Sequence, residues 1–472
     1  MFKKTCSYTY MVLLGLVLSA CSILPKPEYI PRQESIDTKA DLAFNFSSNG
    51  LQESADDKNL SSWFASDDKT LNYLVSQCLE NNLSIATAKS RLRQSELGLV
   101  RTRSSQLPTI SGSGLGQRSQ DLDESDSFEL YTLGLDGFYE VDLFGRRSSE
   151  IAAALYNIST AELSLESTQV ALLSELTLAY INYQSAQRRL NVSERRSEVQ
   201  AEILQIAKWR QAAGLGSELD VLRSESLYRS TLATIPLLKS AVNRSVTQLS
   251  VLTSIRTVEL LSHLNRSQNN LIVMKRPVQT ALSDLLRKRP DIMSAEQNFF
   301  RSVSEIGITR AELFPSLTLT GALTTSGLEL SDLFDSTTSR LSASIFQTIF
   351  DNKRRSSINE LSKERAEEAF ILFQQAILGA MTEFEDAAYA FNNLKASLEE
   401  LNLSVSAASK VVDISKSLYS AGSISFQEIL SVERSLLELE DQQVSTAGQL
   451  VEAALLAYVV SGEGWEYIEN VK

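Results

Sequence analysis

The chain has 472 residues, 43% hydrophobic and 22% charged, the mix of a protein that folds around a core. Its 45 basic and 58 acidic residues leave a net charge of −13, which disfavours a nucleic-acid binder. A single His (His263) and three Cys leave almost no material for a zinc site, a His-based triad or a Cys-His pair. No enzyme activity, metal site or cofactor is therefore expected.

Lys3 and Lys4 precede an apolar run from Tyr10 to Ala20, too short for the roughly 20 residues that cross a bilayer. Residues 1–20 read as a secretory signal peptide. It closes on Leu18-Ser19-Ala20-Cys21, which resembles a bacterial lipobox. That resemblance implies lipidation at Cys21, and Ser22 after it implies the outer membrane. Several acyl chains anchor firmly where one binds only marginally. Residues 21–60, with Pro25, Pro27 and Pro31, form an extended tether. Cys6 is lost with the leader and Cys21 to the lipid, so Cys78 alone remains, packed between Leu74, Val75 and Leu79 in a helical pattern.

The rest of the chain is duplicated. Pro108 and Pro315 lie 207 positions apart, as do Ile85 and Ile292, Leu99 and Ile306, and Arg103 and Arg310. Phe144-Gly145-Arg146-Arg147 answers Phe350-Asp351-Asn352-Lys353-Arg354, and Ala213-Gly214 answers Ala421-Gly422 at an offset of 208. The first repeat covers 61–253 and the second 290–460. A mixed segment (254–289) lies between them and a tail (461–472) follows. In each half a helix, about 82–107 and 290–314, runs up to the proline.

A hairpin follows in each half, about 108–142 and 315–350, with a polar loop at 118–127 or 325–339. In the second strand Tyr131, Leu133, Leu135, Tyr139 and Val141 share one face, and Thr132, Gly134, Asp136, Glu140 and Asp142 the other. In the third, Leu317, Leu319 and Leu323 oppose Ser316, Thr318, Thr320 and Thr324. In the fourth, Leu341, Ala343, Ile345 and Ile349 alternate with Ser342, Ser344 and Thr348. A half-buried soluble sheet gives this pattern. So does an outer-membrane barrel, with lipid on one face and water on the other, for which Thr132, Asp136, Glu140, Thr318 and Thr320 face the lumen. Beyond the leader no helical membrane span is expected. Four strands cannot close a barrel, so the chain would share one with copies of itself: eight strands from two, twelve from three.

Between Gly145 and Gly214 no Gly or Pro occurs, which predicts a helix roughly 100 Å long. Ile151, Leu155, Ile158, Leu165, Leu172, Leu176, Ala179 and Tyr183 form a coiled-coil seam along it. A return helix runs to about 253, with a kink expected at Pro236. The second half repeats the pair at about 352–421 and 425–460. His263 reads as a surface residue, and the Arg pairs 146/147 and 354/355 as marks of a membrane interface, where strand becomes helix.

These motifs resemble the TolC-like outer membrane factors, in particular the lipoprotein branch of NodT type that serves RND efflux pumps. The resemblance spans about 60–460 and rests on the lipobox, on Tyr139-Glu140-Val141-Asp142-Leu143-Phe144-Gly145-Arg146, on Ile349-Phe350-Asp351, and on the two Ala-Gly turns with their Leu219-Asp220-Val221-Leu222 and Glu428-Ile429-Leu430 sequels. It implies a mainly α fold with a β-barrel portion: a homotrimer whose twelve strands form one outer-membrane barrel, continued through the periplasm by an α-helical barrel with a mixed equatorial region. It implies an efflux channel for small molecules, drugs or other toxic compounds, partnered by a periplasmic adaptor (membrane fusion) protein, an inner-membrane RND pump and outer-membrane lipid. It also implies a gate at the periplasmic tip, where Asp220 bonds to Tyr419 and Glu428 lines the narrowest ring. Here the chain departs from some members, with Ile424 at a basic brace and Ser431 at a second ring acid. The alternatives are a channel for type I protein secretion and a coiled-coil lipoprotein without a pore.

Overall fold

The computed structural model describes residues 68–120, 127–264 and 289–461. The leader, Cys21, the tether, most of the 254–289 segment and nearly all of the tail lie outside the described residues. Within them the order is α1 Lys69–Asn81, α2 Leu83–Ser104, β1 Thr109–Gln120, β2 Ser127–Val141, α3 Arg146–Ala212, α4 Glu218–Thr253, α5 Thr257–Leu264, α6 Pro290–Ala311, β3 Ser316–Gly327, β4 Ser336–Phe346, α7 Arg354–Ser420 and α8 Phe426–Val460.

The duplication is written into these bounds. α2 and α6, like β1 and β3, start 207 residues apart, whereas α3 and α7, like α4 and α8, start 208 apart. The extra residue enters between β3 and α7. Before α3 the chain turns on one left-handed residue, Gly145 (φ 77°); before α7 it turns on two, Asn352 (φ 53°) and Lys353 (φ 69°). A glycine adopts that geometry freely, and the Asn tolerates it better than most side chains do.

Several boundaries differ from expectation. α2 and α6 stop at Ser104 and Ala311, because the backbone tightens into three-residue turns (Leu107 N–H to Ser104 O, Phe314 N–H to Ala311 O) ahead of each proline. A residue before proline avoids helical geometry. β3 and β4 run further than expected, cutting the 325–339 loop to 328–335, since the ladder accepts Thr and Ser as readily as apolar residues. β4 ends at Phe346, so Ile349 falls beyond the sheet and is exposed. α4 is continuous through Pro236.

Contacts divide the chain into two units. The first takes in 90–163 and 294–375, and the second the remaining described residues. In the first unit, Gly307 of α6 lets α3 approach closely: a Cβ there would stand 3.1 Å from Ser149 Cβ. Phe299 packs on Phe370, ring centroids 5.4 Å apart, and Tyr156 stacks on Phe300.

In the second unit, Leu71, Leu74, Val75 and Cys78 of α1 join Leu173, Leu176, Tyr180 and Ile181 of α3 and Val246 and Leu249 of α4 in one core. Asp68 caps α1 and accepts a hydrogen bond from the Tyr180 hydroxyl at 2.7 Å. Asn82 donates to Leu252 O at 2.9 Å. Cys78 is fully buried as expected, and burial pushes its thiol up to about 11. The seam expected along α3 is only partly right. Leu155 is exposed and Leu172 half-buried, whereas Val170, Leu173, Thr177 and Tyr180 are buried. α3 shares this core with residues of α1, α4 and α8, so its burial spreads around the helix rather than along one heptad line.

His263 also departs from its surface reading. It is half-buried and stacks on Tyr73, ring centroids 4.5 Å apart. α8, too, is long and apolar enough by composition to cross a membrane, against the expectation of no such helix; 44% of its most apolar window is buried within the protein, as in a core helix.

Candidate functional site: the two-faced sheet and the helix tips

The four strands form one antiparallel sheet in the order β1-β2-β3-β4, so the two hairpins pair with each other through β2 and β3. Neither β1 nor β4 has a second neighbour among the described strands, which leaves two open edges. Directly paired residues point to the same face. One face carries Leu133, Leu135, Tyr139 and Val141 of β2, with Leu317, Leu319 and Leu323 of β3 and Leu341 and Ile345 of β4. On β1 it holds Gly112, Gly114 and Gly116, over which Leu135, Leu133 and Tyr131 lean.

The other face carries hydroxyls. Ser111, Ser113, Thr132, Asp136, Thr318, Thr320 and Ser342 lie there, together with Glu140. All five residues expected to share a polar face therefore do share it. Apolar exceptions are Leu115, Phe128, Leu130, Phe138, Ala322 and Phe346. On the apolar face Leu133, Leu135, Leu323 and Leu341 stay exposed, a sheet surface that water would not leave uncovered.

Glu140 is also part of a charge cluster. It sits at the end of β2 with its carboxylate held by Arg146 Nη2 at 2.7 and 2.8 Å and by Arg147 Nη2 at 3.2 Å. Arg146 also bonds Glu150 at 2.8 Å. Glu140 thus lies on the polar face and is at the same time the anion of a strand–helix junction. In the second half Arg355 does comparable work, bonding Thr348 and, at 2.9 Å, Glu312 O, while its own N–H donates to Asp351 at 3.1 Å. Phe144 and Phe314 stack beside these contacts, centroids 4.8 Å apart.

Both long helices close in the same way at their C-terminal ends. Leu215 N–H bonds Arg210 O and Gly214 N–H bonds Gln211 O; Ser423 N–H bonds Leu418 O and Gly422 N–H bonds Tyr419 O. Each is a Schellman motif around a left-handed glycine, φ 73° at Gly214 and 77° at Gly422. Each return helix then starts on a serine cap, Ser217 or Ser425.

The caps decide the fate of the expected gate acids. Asp220 and Glu428 are equivalent third positions of the two return helices. Asp220 closes a capping box, accepting from Ser217 N–H at 3.3 Å while its own N–H donates to Ser217 Oγ at 3.2 Å. Glu428 takes only the second of these bonds, and it is exposed. Among the described residues no hydrogen bond joins Asp220 to Tyr419. Their proximity shows in the Tyr419 hydroxyl, pushed above its ordinary value by burial, drawn down by the Arg210 cation and raised again by the Asp220 charge.

Tyr419 instead meets Arg210. The guanidinium carbon lies 4.7 Å from its ring centroid, and Nη1 donates to Tyr419 O at 3.0 Å. Behind Tyr419 stand Ile203, Ala207, Phe426 and Ile429, with Ile424 packed against them in place of a basic brace. Sequence reading missed Arg210, because its counterpart in the second half is Leu418 and no repeat signal marks it.

The profile of the outer membrane efflux protein family matches residues 74–254 and 281–459, one stretch per repeat. The chain belongs to this family. Outer membrane efflux proteins are channels, and this one works as a channel of the outer membrane that extends into the periplasm. Its relatives include Nodulation protein T of Rhizobium leguminosarum bv. viciae, 26% identical over 94% of this chain and 89% of that protein. Another is the pyoverdine export outer membrane protein OpmQ of Pseudomonas aeruginosa, 25% identical over 95% of this chain and 96% of that protein. Among solved structures, the outer-membrane channel OprN superposes with a TM-score of 0.81 at 27% identity, covering 94% of this chain and 98% of that one. An efflux channel of this fold accounts for the duplicated layout, the two-faced sheet and the long helices together.

Proposed function

We propose that three copies of this chain close one twelve-stranded barrel in the outer membrane and continue as a helical conduit into the periplasm. The observation that carries the reading is the four-stranded sheet, open at both edges, with an apolar face and a hydroxyl face. An open edge in lipid leaves backbone groups unbonded, and closure with further copies satisfies them. The hydroxyl face, with Thr132, Asp136, Thr318 and Thr320, then lines the water-filled lumen. The conduit passes small molecules, drugs or other toxic compounds, passively and with no chemistry of its own; one relative is named for the export of pyoverdine.

Cys21 carries the lipid that tethers each copy. The tips meet a periplasmic adaptor that connects to an inner-membrane RND pump. Trp209, Leu215, Leu219 and Leu222, all apolar and exposed at the first-half tip, supply a surface for it. Three Glu428 carboxylates around the axis concentrate negative charge at the narrow end, with Tyr419 and Asp220 behind them.

Purified full-length protein should cross-link to a trimer and give discrete conductance steps in a planar lipid bilayer. A monomer that gives no steps overturns the reading. Cells lacking the protein should become sensitive to small toxic compounds while continuing to export proteins; lost protein secretion with unchanged drug sensitivity would replace small-molecule efflux by type I secretion.

A further inference from the structure

The internal repeat supplies a template for the neighbour that each edge strand lacks. β1 and β3 start 207 residues apart. Thr109 pairs with Phe138 and Ser316 with Phe346, so β2 and β4 correspond at an offset of 208. β2 runs on past its last partner in β1: Tyr139, Glu140 and Val141 pair only with Leu319, Thr318 and Leu317 of β3. Their counterparts in the second repeat are Gln347, Thr348 and Ile349, which follow the end of β4 and have no such second strand beside them among the described residues. The course of these three is nevertheless set. Arg355 bonds Thr348 as Arg147 bonds Glu140, both residues shifted by the same 208. Ile349 is 97% exposed, and Ile110, on the open edge strand β1, is 75% exposed.

We infer that β4 of one copy pairs with β1 of the next in the register in which β2 pairs with β3, and that this pairing extends β4 through Ile349. Within the chain Val141 faces Leu317 and Glu140 faces Thr318. Carried through the repeat, the same register sets Ile349 opposite Ile110 of the neighbouring copy and Thr348 opposite its Ser111. The faces agree. Ile349 continues the apolar side of β4 after Leu341 and Ile345, and Ile110 shares the apolar side of β1 with Gly112 and Gly114. A slip of one residue would set apolar against polar along the whole seam. A slip of two would keep the faces, and there the repeat alone decides. The inference rests on the trimer reading above and adds to it the residues that meet at each seam.

Paired cysteines in the full-length protein test the register, read as covalent trimer on a non-reducing gel after the assembled channel is oxidised. Directly opposed residues lie about 4.5 or 5.5 Å apart at Cα, within reach of a disulfide, whereas those displaced by two lie about 7 Å or more apart. Ile110→Cys with Ile349→Cys, and Ser111→Cys with Thr348→Cys, should each give several-fold more covalent trimer than the displaced pairs. The displaced pairs are Gly112→Cys with Ile349→Cys and Ile110→Cys with Gln347→Cys. A displaced pair that links as well as the aligned ones overturns the inference. So do aligned pairs that stay unlinked in protein that chemical cross-linking shows to be trimeric. If one aligned variant does not assemble, the other decides alone. Amide exchange of the wild-type trimer gives a second measurement that needs no variant: residues 347–349 should be protected as 139–141 are, and rapid exchange there overturns the extension of β4. A wild-type protein that does not cross-link to a trimer would instead overturn the channel reading, an outcome distinct from all of these.

Discussion

Leu133 lies across Gly114: a Cβ built on the glycine would stand 3.3 Å from Leu133 Cδ2, tighter than ordinary van der Waals contact. On its other side Leu133 pairs with Thr325 of β3. The leucine thus fills a gap on the apolar face that the glycine leaves open. If that face meets lipid, Leu133→Arg and Leu319→Arg should sharply reduce assembled trimer in the outer membrane, since Arg at the bilayer midplane costs about 2–4 kcal/mol. Thr132→Arg and Thr318→Arg, on the opposite face, should be far milder. Equal loss from both faces in a membrane-fraction immunoblot would indicate a soluble sheet.

Cys21 should carry the lipid. Mass spectrometry of the N-terminal peptide should find Cys21 first in the mature chain and heavier by its acyl groups. An unmodified peptide, or one that begins elsewhere, removes the anchor from the account. Cys21→Ala should leave conductance intact, because the barrel holds the trimer in the membrane by itself.

The close approach at Gly307 is testable by suppression. Gly307→Ala puts a methyl group 3.1 Å from Ser149 Cβ, an atom that no rotation can move. The variant should melt at a lower temperature, and Ser149→Gly in the same chain should restore much of the loss. Additive damage in the double variant would show that the two positions do not share the contact.

Arg196 of α3 pairs with Glu440 of α8, with side chains 15% and 27% exposed, and burial brings the guanidinium down to about 10. Arg196 remains charged at neutral pH. Glu440→Gln should therefore remove the bonded carboxylate, leaving Glu433 and Asp441 as the charges that still favour the cation, and cost about 1–3 kcal/mol of stability. Replacing both partners with leucine should cost less than Glu440→Gln alone. Denaturant midpoints compare the three.

Cys78, pushed up to about 11, should be silent towards thiol reagents in the folded protein. At pH 8 only on the order of one thiol in a thousand is ionised at that value, and the side chain is buried as well. One reactive thiol should appear on unfolding. The folded value is raised above the unfolded one, so the stability it contributes is fully present below about pH 9 and is lost as pH rises through about 11. Cys78→Ala should flatten that part of the alkaline stability profile; an identical profile would exclude the thiol as its source.

Much of this molecule is legible in residue order. The 207-residue echo between Pro108 and Pro315 announces the duplication, and the breaker-free run after Gly145 announces α3. The alternation around Thr132 and Thr318 assigns their shared face before any strand is paired. These are local signals: side chains repeat every two residues on a strand and every 3.6 on a helix, so periodicity reports which way each points. Burial of Cys78 follows from the same logic.

Distance in space leaves no such mark. Only the folded chain pairs β2 with β3 and so joins the two repeats through one sheet. It makes Glu140, an acid of the polar face, also the counterion of Arg146 and Arg147, because the Gly145 turn folds the helix start back onto the strand end. It commits Asp220 to the Ser217 cap and gives Tyr419 to Arg210, a partner 209 positions away. A residue's type states which bonds it can make; which of them it does make depends on what the packing of distant segments brings within about 3 Å.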